Sequence, residues 1–333
     1  MAQTENEDLG IEVSLLLLAF NQAGYVASAA INCLAQKTSK PIEIIFSDDA
    51  STDETFTVLK AIAAEYRGPH RVRVRRNANN LGIGAHYNVA IAQCSGELIV
   101  TAAGDDLSVE GRVEKLYSAW IKSGKKADLI TSDLLHMDQD GKTHSVIGVS
   151  DLARWTKPEQ WLKKRPYVVG AAHAFTKRLH VHFGDFVDGI VYEDQIMALR
   201  ATLAGSGVTV KEPLVHYRDG GASQQKAHAI SGPLYLTWSA KHFSRQLAQH
   251  EQIKRDLMTS QRLDLWSPKL GKRLAGARFA LELHTQSSFR DRFQLAIAAK
   301  GVGWFFRVKH CIYISWPERA AAIQRIQQRI KGQ

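Results

Sequence analysis

Three pairs of adjacent carboxylates stand at points where this chain could do chemistry: Asp48-Asp49, Asp105-Asp106 and Glu193-Asp194. An ionised carboxylate accepts hydrogen bonds and donates none, so it suits N–H groups and hydroxyls. The first pair ends the apolar, β-branched run Ile42–Ser47, which reads as a buried strand. Ser51-Thr52-Asp53-Glu54 follow it with cap oxygens and acid for the positive start of a helix. The second pair, in Gly104-Asp105-Asp106, ends a second strand-like run, Glu97–Ala103. In an open α/β sheet, ligands sit beyond the carboxyl ends of the strands, so both pairs would stand on a binding floor. A well-capped turn explains one such strand end equally well. Two in one unit are hard to assign to capping alone. The third pair opens the helical stretch Gln195–Leu203, where acidic residues also suit a helix start.

The elements that must carry these pairs alternate. Val13–Ala19 is a continuous apolar run fit for a central strand, and it is followed by the Ala-rich helical stretch Ala23–Gln36. Strand Ile42–Ser47, helix Thr52–Tyr66 and short strand Val72–Arg75 continue the pattern, which implies right-handed parallel crossovers. Gly82-Ile83-Gly84 leads into helix Ala85–Gln93. The third glycine of a dinucleotide fingerprint is absent, so these glycines read as tight helix entry and close approach. Helix Gly111–Lys122, strand Leu129–Asp133 and hairpin chemistry at Asp138–Gly141 come next. Gly170-Ala171-Ala172 is a small-residue stretch within Tyr167–Thr176, and Val208–Val210 and Val215–Arg218 read as two short strands. His180-x-His182 has strand-like spacing, and a surface position is expected for it rather than a metal site.

The chain has 333 residues, 45% of them hydrophobic, enough for a sizeable core with an appendage. Its formal charge of +10 is concentrated after Lys241, which favours acidic partners. Cys33, Cys94 and Cys311 match neither a metal spacing nor a disulfide framework, and an acidic N-terminus is wrong for a signal peptide. A cytoplasmic protein is expected, divided into a flexible N-terminus (1–10), a catalytic domain (11–222) and a helical basic region (223–333).

The ordered set of motifs resembles the family 2 inverting glycosyltransferases. It comprises Phe20-Asn21, Asp48-Asp49-Ala50-Ser51-Thr52-Asp53, Asn80-Leu81-Gly82 with Asn88, Ser95-Gly96-Glu97, Gly104-Asp105-Asp106, Gly170-Ala171 and Glu193-Asp194. The resemblance covers about Val13 to Arg218 and implies an α/β, GT-A-type three-layer fold. That fold has a mostly parallel central sheet, a Rossmann-like nucleotide-binding half and, here, a helical C-terminal extension.

By that resemblance, Ala19, Asn21, Asp49 and Asp105 contact a nucleotide-diphosphate sugar, with a UDP- or dTDP-sugar expected. Asp49 faces the base, and Asp106 is the direct ligand of Mg²⁺ or Mn²⁺, which takes one or two carboxylates plus diphosphate oxygens. Asp194 is the general base that removes the acceptor hydroxyl's proton, with Glu193, whose like charge raises the pKa of either, beside it. Asp48 is a supporting residue. The acceptor implied is a glycan or lipid-linked glycan in cell-surface polysaccharide, O-antigen or lipopolysaccharide synthesis.

Many relatives carry a basic residue where Gly84-Ala85-His86 stand, so either His86 replaces it or that phosphate contact is lost. They also carry a His after Tyr217-Arg218, where this chain has Asp219-Gly220-Gly221; His216 is near but offset, and an ordinary strand histidine is the expected reading. A sugar nucleotidyltransferase would want a basic glycine-rich loop after the first strand, and Phe20–Gly24 has no Lys or Arg. A non-enzymatic basic module for membrane or nucleic acid leaves both Asp pairs unexplained. Nucleic acid is therefore not an expected partner, and oligomerisation stays open. Val302–Trp316, with aromatic residues beside Arg307, Lys309 and His310, and the amphipathic segment 319–331 suit peripheral attachment to an anionic membrane face.

Overall fold

The structure is a computed structural model and describes residues 10–219 and 231–323. The chain divides into two compact units, Met1–Phe186 with Val191–Gln224, and Val187–Ile190 with Gln225–Gln333.

The first unit begins β1 (Val13–Ala19), α1 (Val26–Leu34), β2 (Glu43–Asp48), α2 (Thr55–Glu65), β3 (Arg71–Arg76), α3 (Ile83–Ala92) and β4 (Leu98–Ala103). It continues β5 (Leu107–Ser108), α4 (Arg112–Lys122), β6 (Leu129–Met137), β7 (Thr143–Ile147), α5 (Pro158–Lys163), β8 (His173–Thr176), α6 (Lys177–Phe183), α7 (Glu193–Ala204) and β9 (Gly207–Arg218). The sheet order is β3-β2-β1-β4-β8-β6-β9-β5, with β7 on β6. From β3 to β4 every pairing is parallel. Every residue of β1 is buried, as a strand covered on both faces requires. Chain connections leave β1 towards β2 on one side and reach β4 on the other, which makes the β1 carboxyl end a topological switch point. Leu15, Leu17, Val26, Ile44, Phe46 and Trp120 belong to the core cluster beneath it.

The remaining strands are mixed: β8 runs antiparallel to β4 and β6, and β6 runs parallel to β9. The two short strands expected at 208–210 and 215–218 are one strand, β9, with register shifts opposite Asp133 where Pro213 sits. Proline has no N–H for the ladder, so the pairing must jump there. The expectation for His180-x-His182 is corrected. These residues lie on helix α6, where positions two apart face different ways. His180 is buried, with Nε2 3.1 Å from Asp185 Oδ1, and His182 is exposed.

The second unit contains α8 (Gly232–Thr259), α9 (Pro268–Thr285), α10 (Phe289–Ala298) and α11 (Trp304–Ser315). Phe279, Leu283, Ala296, Cys311 and Ile314 form one of its buried clusters. Among the described residues no helix is long and apolar enough to cross a membrane.

Candidate functional site

Both Asp-bearing turns are hydrogen-bonded to the end of β1. The Asp49 N–H donates to Ala19 O and the Gly104 N–H to Leu18 O, each at 3.0 Å. Asp48 is fully buried: it accepts the Ser51 N–H at 3.0 Å and the Ser51 hydroxyl, and Arg76 Nε lies 3.2 Å away. Its carboxylate is spent on shaping the turn, in which Ala50 takes a φ of 58°. Asn21, at φ 51°, bridges to the same turn, receiving the Thr52 N–H at 2.8 Å and donating its own N–H to Ser51 Oγ at 2.9 Å.

Asp49 works as an acceptor on three sides. Oδ1 receives Asn77 Nδ2 at 2.6 Å and the Leu81 N–H at 3.0 Å, and Oδ2 receives the Gly82 N–H at 3.0 Å. Gly82 has φ 76° and directly precedes α3, so its freedom of backbone lets the chain wrap the carboxylate.

The second turn is tighter. A Cβ on Gly104 would meet Gln22 Oε1 at 2.5 Å and Ala19 Cβ at 3.1 Å. Asp106 is 6% exposed, and its Oδ1 accepts the Arg218 N–H at 2.8 Å. Burial, reinforced by Asp105, pushes the Asp106 carboxyl up to about 8, and burial raises Asp105 as well. Two hard-oxygen carboxylates that oppose each other's ionisation are a donor set that fits a divalent cation.

Glu193 and Asp194 are the first residues of α7. Gly170 lies against them: a Cβ there would meet Glu193 Oε1 at 2.8 Å. The Gly170 carbonyl accepts Thr101 Oγ1 of β4 at 2.7 Å, which ties this acidic pair to the strand that delivers Asp105-Asp106. Burial, then Asp194, raises Glu193 to about 8. Burial raises Asp194 to about 6, against the N–H of Gln195, which Oδ1 accepts at 2.6 Å, and the charge of Arg165. Burial thus holds both carboxyls above the ordinary carboxylate range, Glu193 further than Asp194.

Residues 14–179 match the family model described as glycosyl transferase family 2. Through this segment the chain belongs to that family. Among curated relatives, it is 29% identical over 161 residues to the putative glycosyltransferase EpsE of Bacillus subtilis, 48% of this chain and 55% of that one. It is 33% identical over 94 residues to an uncharacterized protein of Mycobacterium tuberculosis, 28% of this chain and 27% of the other. The chain thus matches between about a quarter and about half of these relatives' lengths. The fold is similar to that of S. aureus TarS in complex with UDP-GlcNAc, with TM-score 0.54 and 14% identity over 96% of this chain and 92% of that chain. It is also similar to the mannosyltransferase PcManGT of Pyrobaculum calidifontis in complex with GDP-Man and Mn²⁺, with TM-score 0.50 and 15% identity over 95% and 87%. At such identities the likeness shows the fold, which is GT-A.

Within this family 2 framework, one histidine, His86, stands differently from the candidate role the resemblance gave it, and the other, His216, stands as expected. His86 is 2% exposed, its Nε2 lies 2.7 Å from Ser47 Oγ, and burial lowers it to about 4. Burial favours its neutral form, so the structure places it as an interior partner of Ser47 rather than as an exposed basic group. His216 is half-buried in β9 opposite Leu107, and burial lowers its pKa, as fits a strand histidine.

Sequence reasoning missed several residues that hold the site together. Asn77 grips Asp49. The Arg218 guanidinium donates to the carbonyls of Asp105, Asp138 and Gln139 at 2.9–3.0 Å and lies 4.6 Å from the Tyr25 ring. Arg112, fully buried on α4, donates to Thr101 O at 2.7 Å, Ala171 O at 2.5 Å and Ser108 Oγ at 2.9 Å. It fastens β4 to the Gly170–Ala172 turn. An Arg in a mixed helical or strand segment carries no local sign of such a role.

Proposed function

We propose that this chain transfers a sugar from a nucleotide-diphosphate sugar to a hydroxyl of a glycan or lipid-linked glycan, with inversion, by a single metal-assisted displacement. The observation that carries this reading is the convergence of both Asp turns on the end of β1, with Glu193-Asp194 tied to β4 through Gly170 and Thr101. TarS with UDP-GlcNAc and PcManGT with GDP-Man and Mn²⁺ share the fold, which supports a nucleotide-sugar donor and a divalent cation.

In this reading Ala19, Asn21 and Asp49 form the base and ribose side. Both oxygens of Asp49 already hold the 77–82 turn, so a base N–H would use a remaining lone pair of a pre-oriented carboxylate. Asp105 reaches ribose or sugar, and Asp106 would hold Mn²⁺ or Mg²⁺ through the oxygen that Arg218 does not engage. No group of three His, Cys, Asp or Glu side chains is placed to hold a metal among the described residues, so diphosphate oxygens would complete the shell. A bound divalent cation would stabilise the charge that develops on the leaving diphosphate. Asp194 takes the acceptor proton: burial raises it less than Glu193, so of the two it is the carboxyl that ionises more readily and the better candidate base.

The three cysteines are buried and free, which suits a reducing compartment. Exposed Trp304, Phe305 and Trp316, beside Arg307 and Lys309, support peripheral association with an anionic membrane face. The remainder of the amphipathic segment, with Arg325, Ile326, Arg329 and Ile330, lies outside the described residues.

The test is a thermal-shift panel of UDP-, dTDP- and GDP-sugars with and without Mn²⁺, followed by donor hydrolysis. A metal-dependent shift with one nucleotide class and slow hydrolysis of its sugar support the transferase. No shift with any of them would remove the reading.

A further inference from the structure

In the helical unit a cavity of about 440 Å³ is lined by Gln246 of α8, by Lys269, Lys272 and Arg273 of α9, and by Val302 and Phe306. Its volume falls in the range of small-ligand sites. All three cations are exposed, and none has a carboxylate within ion-pair distance among the described residues. No Asp or Glu lines the cavity; Glu251 pairs with Arg278 at 2.8 Å, and Asp264 with Arg262 at 3.2 Å.

Lys269 stands in the first turn of an 18-residue helix that has no acidic residue there, where the helix dipole disfavours a cation, and Lys272 and Arg273 follow in the next turn. Three uncompensated like charges converge on one concavity, and that arrangement is favourable once an anion sits among them. The lining also has an apolar and aromatic part, Ala277, Val302 and Phe306. Phe306 is held by contact with His310, ring centroids 4.1 Å apart, and its ring atoms lie 3.5 Å from where a Gly276 Cβ would be. A simple inorganic ion would leave that part unused.

We propose that this cavity binds the phosphate group of a phosphate ester, with the esterified body against Phe306 and Val302. The two sources of that chemistry are a lipid headgroup and a soluble phosphorylated sugar or glycan. The inference does not depend on the transferase reading.

The experiment uses the full chain in three forms. One is unaltered, one carries Lys269→Gln, Lys272→Gln and Arg273→Gln, and a control carries Arg255→Gln, Arg290→Gln and Lys300→Gln, exposed cations that do not line the cavity. Calorimetry with glycerol 3-phosphate and with glucose 1-phosphate reads the soluble source. Sedimentation with phosphatidylglycerol vesicles, against phosphatidylcholine alone, reads the lipid source. Binding by the unaltered chain to either source should weaken at least about tenfold in the cavity variant, and fall with salt, while the control stays near the unaltered value. Binding to the soluble probes assigns the site to a soluble ester, and binding to vesicles alone assigns it to a headgroup. No saturable binding, or equal loss in both variants, overturns the proposal. Nucleotide binding with Mn²⁺, measured on the same three proteins, reports fold and the carboxylate site separately.

Discussion

The backbone N–H of Arg218 donates to Oδ1 of Asp106 at 2.8 Å, joining residues 112 positions apart. The same residue's guanidinium donates to three carbonyls, among them that of Asp105. The end of β9 therefore holds both the peptide and the side chain of the turn proposed to take the metal. Arg218→Ala would remove three hydrogen bonds to part-buried carbonyls, which water can partly replace, at about 0.5–1.5 kcal/mol each. We expect a lower Tm and weaker Mn²⁺-dependent nucleotide binding. Arg218→Lys should rescue neither fully, because an ammonium cannot reproduce the fork. Nucleotide affinity unchanged in Arg218→Ala would show that the turn keeps its shape without the clamp.

Asp106→Asn is expected to abolish metal-dependent donor binding and keep the fold. The amide replaces a carboxylate that burial already opposes, so folding loses no ion pair, and the Arg218 N–H keeps an oxygen acceptor. Calorimetry with a nucleoside diphosphate, with and without Mn²⁺, reads the outcome. Equal affinity in the variant and the parent would reassign the ligand.

Asp194→Asn should bind donor normally and lose about 10²–10⁴-fold in transfer, the usual worth of general base catalysis. In the parent, kcat/KM should rise with pH with a midpoint near 6, because the ionised form of Asp194 is the active one. A variant with near-parental transfer would leave Asp194 as a helix-start residue only.

Glu193→Gln separates the two carboxyls. Burial raises Glu193 to about 8, so its protonated form favours the folded state, and that contribution is lost as pH rises from the ordinary carboxylate range through about 8. Glutamine does not titrate. The Tm of the variant relative to the parent should therefore increase between pH 5 and pH 8, while the activity midpoint near 6 remains, since Asp194 owes its shift to burial. A Tm difference that is flat with pH would mean Glu193 is not held protonated.

The parts legible in the sequence were those with local signals. Strand ends at Ala19, Asp48 and Ala103 were readable because apolar runs stop there at polar turns. Gly82 was readable as tight helix entry, and its φ of 76° agrees. Ile42–Ser47 is the buried strand its pattern indicates, but the partners that let Glu43 sit fully buried in it, Ser14 Oγ and Arg73 Nη2 each donating at 2.6 Å, come from other strands and could not be read. His86 gave no sign of facing inward, because one histidine near a helix start looks the same on either face. The partners of Asp49, Asp106 and Thr101 could not be read at all. Asn77, Arg218 and Arg112 come from other elements, and pairings over such separations leave no periodicity.

The exposed aromatics of α11 carry the last prediction. Cys311 and Ile314 pack inside the helical unit, whereas Phe305 is 81% and Trp304 56% exposed. Removing the whole segment would strip that interior, so point substitutions are the sharper probe. Burying a large apolar side chain at a headgroup boundary is worth about 1.5–3 kcal/mol at most. The double variant Trp304→Ser, Phe305→Ser should sediment with phosphatidylglycerol vesicles at least about tenfold less than the parent at low salt. Its Tm should stay close to the parent value, since neither side chain belongs to the buried cluster. The loss should also persist in excess glycerol 3-phosphate, which separates this aromatic face from the phosphate site. Equal sedimentation of variant and parent would assign these rings to some other contact.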